Sequence, residues 1–145
     1  DINSVQDIYI LGTSFHYPIA LEGALKIKEL AYIHAEGIAA GEIKHGPLAL
    51  IEPSTIVIVL NPEDETYHNI LNSIHEIKSR GAKIIGISNK NNDLYDYFIR
   101  IPLVNKYLYP LVEIIPLQIL SYYLAIKKNA NPDYPRNLAK SVTVK

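Results

Sequence analysis

Short apolar runs alternate with longer amphipathic stretches along this chain. Four short runs are rich in β-branched and aromatic residues and predict β-strands. They span residues 7–12, 55–60, 83–88 and 97–101. Three longer stretches place apolar residues at helical spacing and predict α-helices. They span residues 18–35, 63–80 and 109–128.

The apolar continuity of the second run indicates how the strands are arranged. Residues 55–60 read Thr-Ile-Val-Ile-Val-Leu, without the polar alternation of a strand that faces water on one side. Such runs are typical of strands buried on both faces of a parallel sheet. Strands that alternate with helices in this way predict an α/β fold, a three-layer αβα sandwich with a mostly parallel sheet.

Turn signals mark the segments between these elements. Pro18 suits the first position of a helix, and we expect His34 to continue the helix that begins there. Gly37 and Gly41 loosen the chain, so residues 38–44 are expected to form at most a short helix. Ligands of parallel sheets lie beyond the carboxyl ends of the strands. On this basis the candidate site loops span residues 12–17, 45–47 and 61–64.

The composition fits one domain with a buried core. The chain has 145 residues, of which 48% are hydrophobic and 20% are charged. Its formal net charge of −1 argues against a nucleic-acid partner, because proteins that bind nucleic acids usually carry a stripe of basic residues. The sequence has no cysteine, which excludes disulfides and thiolate metal sites within it.

Two further features concern location and extent. No run approaches ~18 consecutive apolar residues, and the N-terminus lacks a signal-peptide pattern. We therefore expect no membrane partner and a cytoplasmic location. The chain begins with Asp1 and contains no Met, and we interpret it as a piece of a longer protein.

A row of charged residues lies on the first predicted helix. Glu22, Lys26 and Glu29 follow in steps of four and three, which places them on one helical face. One interpretation is a solvated face with a Glu22–Lys26 ion pair, worth a few tenths of a kcal/mol. The other is a functional group of carboxylates on a largely apolar helix. The residues alone favour the solvated face.

The histidines differ in their promise as proton carriers. His45 stands directly before Gly46-Pro47, in a turn that can project its ring, and histidine exchanges protons near neutral pH. His16 in the first loop contacts either a ligand or nothing. We interpret His34 as a satisfied, partly buried side chain, and His68 and His75 as surface residues. No pair of histidines has metal-site spacing, so we predict no metal and no cofactor.

The C-terminal segment combines two cations. Arg136 and Lys140 are four residues apart and would point the same way in one helical turn. A frayed basic terminus is the alternative, and composition alone favours it.

Four blocks of the sequence resemble the glutamine–fructose-6-phosphate aminotransferases, also called glucosamine-6-phosphate synthases. They read ALEGALKIKE at 20–29, HAE at 34–36, AGEIKHGPLAL at 40–50 and PRNLAKSVTV at 135–144. The resemblance runs from about Ile8 to the last residue. It implies that residues 1–128 form the second of two sugar isomerase (SIS) domains with flavodoxin-like strand order. It also implies that residues 129–145 form a tail that contributes to the active site.

The resemblance further implies an activity and a set of residues. The family converts fructose 6-phosphate and glutamine-derived ammonia to glucosamine 6-phosphate. Glu29 would move the proton between C1 and C2 of the open-chain sugar. His45 would assist ring opening and, in a homodimer, reach the site of the neighbouring subunit. Lys140 would be the amine that meets the fructose carbonyl.

The resemblance also implies contacts with the substrate and further domains outside this sequence. The substrate-binding residues would be Lys26, Glu22, Arg136 and Ala139. The glutaminase domain and the first SIS domain of the family are not in this sequence, so we expect the chain alone to show little isomerase activity. Residues 13–17 depart from the family, which often has Arg-Gly there, and the role of this loop stays open.

Two non-catalytic interpretations stand beside this one. SIS folds also serve as sugar-phosphate sensors in transcriptional regulators, which need no base and no tail lysine. The chain could also be a dimerisation module, which the apolar helix 109–128 and eleven tyrosines favour.

Overall fold

Five parallel strands form the middle layer of the molecule. The computed structural model describes Val5 and residues 7–138. The strands are β1 (Asp7–Gly12), β2 (His34–Ala39), β3 (Ile56–Leu60), β4 (Lys83–Ser88) and β5 (Tyr97–Arg100). Their order is β2-β1-β3-β4-β5, and each neighbouring pair is parallel. This is the flavodoxin-like order, so the predicted fold class is confirmed.

Helices cover both faces of the sheet. They are α1 (His16–Ala31), α2 (Tyr67–Lys78) and α3 (Tyr109–Lys127). Helices α1 and α3 pack on each other on one face, whereas α2 lies on the other with the 3₁₀ segment Ala40–His45. Two shorter 3₁₀ segments span Pro47–Leu50 and Lys106–Leu108.

A hydrophobic core lies on each face of the sheet, which explains why the central strand is apolar without interruption. Successive side chains of a strand point to opposite faces. In β3, Ile58 and Leu60 pack with α1 and α3, whereas Val57 and Val59 pack with α2. All four are fully buried, and each such side chain contributes about 1.5–3 kcal/mol.

The strand β2 was not predicted from the sequence. Helix α1 ends at Ala31 rather than near residue 35, and His34 begins the strand instead of continuing the helix. The segment is rich in Ala and Gly, which have weak β propensity. Its structure depends on tertiary contacts, because a Cβ at Gly37 would lie only 2.6 Å from the backbone nitrogen of Leu21.

Helix α2 is also shorter than predicted. The chain after β3 first forms a loop in which Asp64 Oδ1 accepts hydrogen bonds from Thr66 N and Oγ1, each 2.7 Å long. The helix therefore begins only at Tyr67. It ends before Gly81, which adopts a φ of +88° and which the helical pattern had placed at its cap.

Helix α3 presents an apolar face to solvent. Exposed large side chains recur at helical spacing along it: Leu111, Ile115, Ile119, Tyr122, Tyr123 and Ile126. Residues Lys106–Lys127 are long and apolar enough to cross a membrane, but the core helix of a soluble protein can be equally long and apolar. The opposite face buries Glu113, Leu117 and Leu124 against the domain, so α3 is a layer of this fold.

Candidate functional site

The predicted charged row is present on α1. Lys26 Nζ lies 2.5 Å from Glu29 Oε2 and 3.6 Å from Glu22 Oε1. The side chains are partly exposed, at 28% for Lys26, 27% for Glu29 and 45% for Glu22. Leu21 and Leu25 beside the row are exposed too, so this face of the largely apolar helix is not buried.

The row carries a fixed positive charge at its centre. The hydrogen bond to Glu29 raises the pKa of Lys26, burial opposes this, and the charges of Glu29 and Glu22 add to it. Lys26 is therefore a cation throughout the physiological range. An anion that develops beside it would be stabilised.

The C-terminal segment returns to the end of α1. The backbone nitrogen of Arg136 donates to Tyr32 Oη at 2.8 Å, and its guanidinium carbon lies 4.1 Å from the centre of the Tyr32 ring. Tyr32 directly follows α1, three residues after Glu29. Arg136 and the charged row are thus brought to the same end of the helix. Ala139 and Lys140, also predicted site residues, lie outside the described residues.

Tyr32 is a residue that sequence reasoning missed. It stands 104 positions from Arg136, and no local pattern links the two. An aromatic residue at a helix end and an arginine in a proline-bounded tail are weak signals, since either is common on its own.

The tail contact gives a prediction. Tyr32→Ala removes both the ring and the hydroxyl that hold Arg136, whereas Tyr32→Phe keeps the ring. Together the contacts are worth about 1–2 kcal/mol. We expect trypsin to cleave after Arg136 about five- to thirtyfold faster in Tyr32→Ala, with Tyr32→Phe between this variant and the native chain. Tyr134→Ala, at an exposed position in the same segment, is the control. Equal rates in Tyr32→Ala and the control would contradict the contact.

His45 lies on another side of the molecule. It ends the 3₁₀ segment Ala40–His45 and is exposed. Ile43 of this segment is buried beside α2, and Ser73 of α2 donates to the Ala40 carbonyl at 2.9 Å. Helix α1 with Glu29 packs on the opposite face of the sheet. One chain therefore does not bring His45 and Glu29 together.

A second group of titratable side chains was also missed. His16 is 1% exposed, and its Nε2 lies 2.9 Å from Asp64 Oδ2. Its Nδ1 lies 2.9 Å from Oε2 of Glu113, which is fully buried. The expectation that His16 contacts a ligand or nothing is thus wrong. A signal was present, because Glu113 is the one charged residue between 109 and 126, and a carboxylate in so apolar a helix needs a buried partner.

The hydrogen bonds and charges within this group together affect the pKa values of His16 and Asp64 more than burial does. Burial is the largest influence on the pKa of His16 and lowers it, but hydrogen bonds and charge from Glu113 and Asp64 together raise it above the ordinary value. Burial likewise raises the pKa of Asp64, and the hydrogen bonds from His16 and Thr66 bring it below its usual value. Both shifts favour the charged forms.

The two groups occupy opposite ends of α1. His16 begins the helix at the carboxyl edge of the sheet, and Glu29 follows 13 residues later, about 20 Å along the axis. The predicted site loops and the charged row are therefore separate regions of one chain. Within Val5 and residues 7–138, no three His, Cys, Asp or Glu side chains are arranged to hold a metal ion.

Known proteins are similar to this chain in sequence and in fold. The sequence profile of the SIS domain family matches residues 1–128. The isomerizing glutamine–fructose-6-phosphate aminotransferase of Pyrococcus horikoshii is 51% identical over 145 residues, which are 99% of this chain and 24% of that protein. That of Thermococcus kodakarensis is 47% identical over 141 residues, 96% of this chain and 23% of that protein. The chain thus spans about a quarter of the length of the curated relatives it matches.

Solved structures agree. The C-terminal domain of glucosamine-fructose-6-phosphate aminotransferase from Francisella tularensis matches with a TM-score of 0.84 and 36% identity, over 90% of this chain and 38% of that chain. These similarities confirm the resemblance predicted from the sequence blocks. By its sequence profile and its five-stranded parallel sheet, the chain belongs to the SIS domain family.

Proposed function

We propose that this chain is part of the isomerase half of a glutamine–fructose-6-phosphate aminotransferase. The complete enzyme would convert fructose 6-phosphate and glutamine-derived ammonia to glucosamine 6-phosphate. The observation that carries this proposal is the return of Arg136 to the end of α1 that holds Glu29. Four residues of chain, at most about 14 Å, separate Arg136 from Lys140, so a tail lysine can reach the charged row.

Glu29 would act as the proton carrier. Exchange between ketose and aldose requires one carboxylate that faces two adjacent carbons, removes a proton from one and returns it to the other. Lys26, 2.5 Å from Glu29, supplies a cation beside the enediolate that forms. Glu22 would hold Lys26 from the other side and stay a weaker contact of the substrate.

Lys140 would be the amine that meets the sugar carbonyl. A lysine forms a Schiff base, with loss of water, only when part of it is neutral. A neighbouring cation lowers the pKa of an amine, and Arg136 and Lys26 are candidates for that effect. Ala139, next in sequence to Lys140, would be a further contact of the substrate.

His45 would serve a neighbouring subunit. Its segment packs against α2, across the sheet from Glu29, so a site that uses both residues needs two chains. The exposed apolar face of α3 supports a homodimer, because large apolar faces are typical of subunit contacts. The hexose 6-phosphate would then be enclosed by both subunits and by the other domains of the enzyme.

A mixed dimer tests the proposed function and the shared site. One subunit carries Glu29→Gln and the other His45→Asn in the complete enzyme, and each homodimer should be inactive as an isomerase. In a mixed dimer, the intact Glu29 of one chain meets the intact His45 of the other. Random mixing should restore about a quarter of the native rate, since half the dimers are mixed and each has one intact site.

The outcome separates two arrangements. If both residues act within one chain, mixing restores nothing, and the shared site is wrong. Sedimentation of each variant is the control for assembly, and a clean monomer at high concentration would contradict the homodimer. The control variant is His75→Asn, which makes the same exchange at an exposed position of α2. Its homodimer should keep the native rate, unlike that of His45→Asn.

The alternative function is a non-catalytic SIS module that binds a sugar phosphate or joins subunits. The apolar face of α3 is the observation that favours it. Such a module needs neither Glu29 nor Lys140, so full activity of both variants in the complete enzyme would support it. We further infer a cytoplasmic location, no nucleic-acid or membrane partner, and no cofactor in the proposed chemistry.

A further inference from the structure

One buried histidine joins three elements of the domain. His16 is the first residue of α1, Glu113 lies in the second turn of α3, and Asp64 lies in the loop between β3 and α2. Both ring nitrogens of His16 lie 2.9 Å from a carboxylate oxygen. None of these residues belongs to the charged row or to the C-terminal tail.

The number of protons follows from these contacts. A neutral imidazole has one N–H, so it can donate to only one of two carboxylates. Two hydrogen bonds require either an imidazolium or a protonated carboxyl group. Asp64 Oδ1 already accepts two hydrogen bonds from Thr66, and Oδ2 faces His16. Both carboxyl oxygens of Glu113 lie 2.9 Å from Nδ1, so an Nδ1–H would face two acceptors, whereas the lone pair of an unprotonated Nδ1 would face at least one oxygen that carries no proton. The imidazolium is the form that satisfies the geometry.

We propose that His16 is a buried imidazolium and a positioning residue, which clamps the first turn of α1 to α3 and to the β3–α2 loop. Charge-assisted hydrogen bonds to two carboxylates are short and strong, and burial protects them from solvent. The clamp fixes the start of the helix on which Lys26 and Glu29 stand. That consequence for catalysis rests on the proposed function, whereas the clamp itself does not.

The groups that face His16 set its dependence on pH. Helix α3 contributes Glu113 and the ring of Tyr109, whose centre is 6.1 Å from that of the imidazole, and the β3–α2 loop contributes Asp64. The pKa of His16 is raised in the folded chain, so its stabilisation is present below the ordinary value of about 6.5 and is lost as pH rises through the folded value. The pKa of Asp64 is lowered, so its contribution is lost as pH falls through that value.

The most direct test counts protons on the ring. Nitrogen-15 NMR of the 145-residue chain at pH 7 should show both His16 nitrogens protonated, and deprotonation should occur above the ordinary histidine range. His16→Gln identifies the signal where it folds. Otherwise the Gln variants of the four exposed histidines, His34, His45, His68 and His75, assign it by elimination. A ring with one proton at pH 7 would overturn the proposal.

The dependence of stability on pH provides a second test, which can be carried out even if the single variant His16→Gln does not fold. His16→Gln alone leaves two buried carboxylates without a cation, a strongly destabilising change. The double variant His16→Gln/Glu113→Gln replaces the charges with amides that can hydrogen-bond. Between about pH 7 and 9, the melting temperature of the native chain should fall by at least about 2 °C more than that of the double variant. Equal falls would overturn the clamp, and His68→Gln should behave as native.

The positioning role has its own readout in the complete enzyme. A displacement of about 1 Å at a catalytic group can cost on the order of 10²-fold in rate. We expect the native kcat for isomerisation to fall at alkaline pH as His16 loses its proton, and the double variant to lack that limb. If the native enzyme and the double variant lose kcat equally at alkaline pH, the positioning role of His16 is wrong. The NMR and melting results stay valid even where Glu29 proves not to be the base, so the two proposals can fail separately.

Discussion

Replacing Glu29 with Gln in the complete enzyme is expected to lower the rate of sugar isomerisation about 10²- to 10⁴-fold. A positioned general base contributes a factor of this size, and an amide cannot accept the proton. The substitution keeps the volume of the side chain, and Gln can still accept a hydrogen bond from Lys26. Glutamine hydrolysis should continue, because this sequence, which lacks cysteine, does not contain the glutaminase nucleophile of the family.

The control for Glu29 lies on the same helix. Glu22 is more exposed and lies 3.6 Å from Lys26, so Glu22→Gln should reduce the isomerisation rate far less. Measurement of glucosamine 6-phosphate formation and glutamate release in parallel separates the two half-reactions. Loss of both activities with the fold preserved would mean that Glu29 is not the proton carrier. Equal losses in the two variants would mean that the row acts only as a charged surface.

Replacing Lys140 with Arg should lower glucosamine 6-phosphate formation by about a hundredfold or more. Arginine keeps the positive charge but is not deprotonated in proteins, so it cannot form a Schiff base. A purely electrostatic role for this side chain would survive the change. The expected result is therefore a large loss of rate that the conserved charge does not rescue.

Lys128→Arg is the matched control for Lys140. It makes the same exchange directly after α3, on a side chain that no proposed step uses, and should leave the rate unchanged. The assay follows hexosamine phosphate formation at saturating glutamine. Retention of most of the native rate in Lys140→Arg would contradict the imine and leave this residue only an electrostatic role.

The sequence predicted the elements whose patterns are local. Residues 56–60 are all apolar because both faces of β3 are covered, so the unbroken apolar run alone identified a buried parallel strand. Strand β2 has no such pattern. Its pairing with β1 and the close approach of α1 over Gly37 determine its conformation, and neither contact can be read from a window of residues.

The candidate site divides in the same way. Glu22, Lys26 and Glu29 were placed on one face because helical spacing is a local property. The contact between Arg136 and Tyr32 spans 104 positions, and that between His16 and Glu113 spans 97. Such pairs depend on how the layers pack. Sequence resemblance supplied roles for the charged row and for Arg136, but it was silent on Tyr32 and on the buried histidine.

The distribution of these groups has a consequence for the whole account. Glu29, Lys26 and Arg136 gather at one end of α1, whereas His45 lies with α2 across the sheet. A single chain therefore does not bring together all the groups that the proposed reaction needs. Subunit contact and the missing domains would complete it.

Reduction of the enzyme–sugar adduct tests the central claim most directly. Borohydride adds hydride to an imine and converts it to a stable secondary amine. After reaction of the complete enzyme with fructose 6-phosphate and borohydride, mass analysis of the peptides should find the sugar on Lys140, and Lys140→Arg should carry none. A label on another lysine such as Lys26, or no label on an enzyme that turns over, would contradict the account.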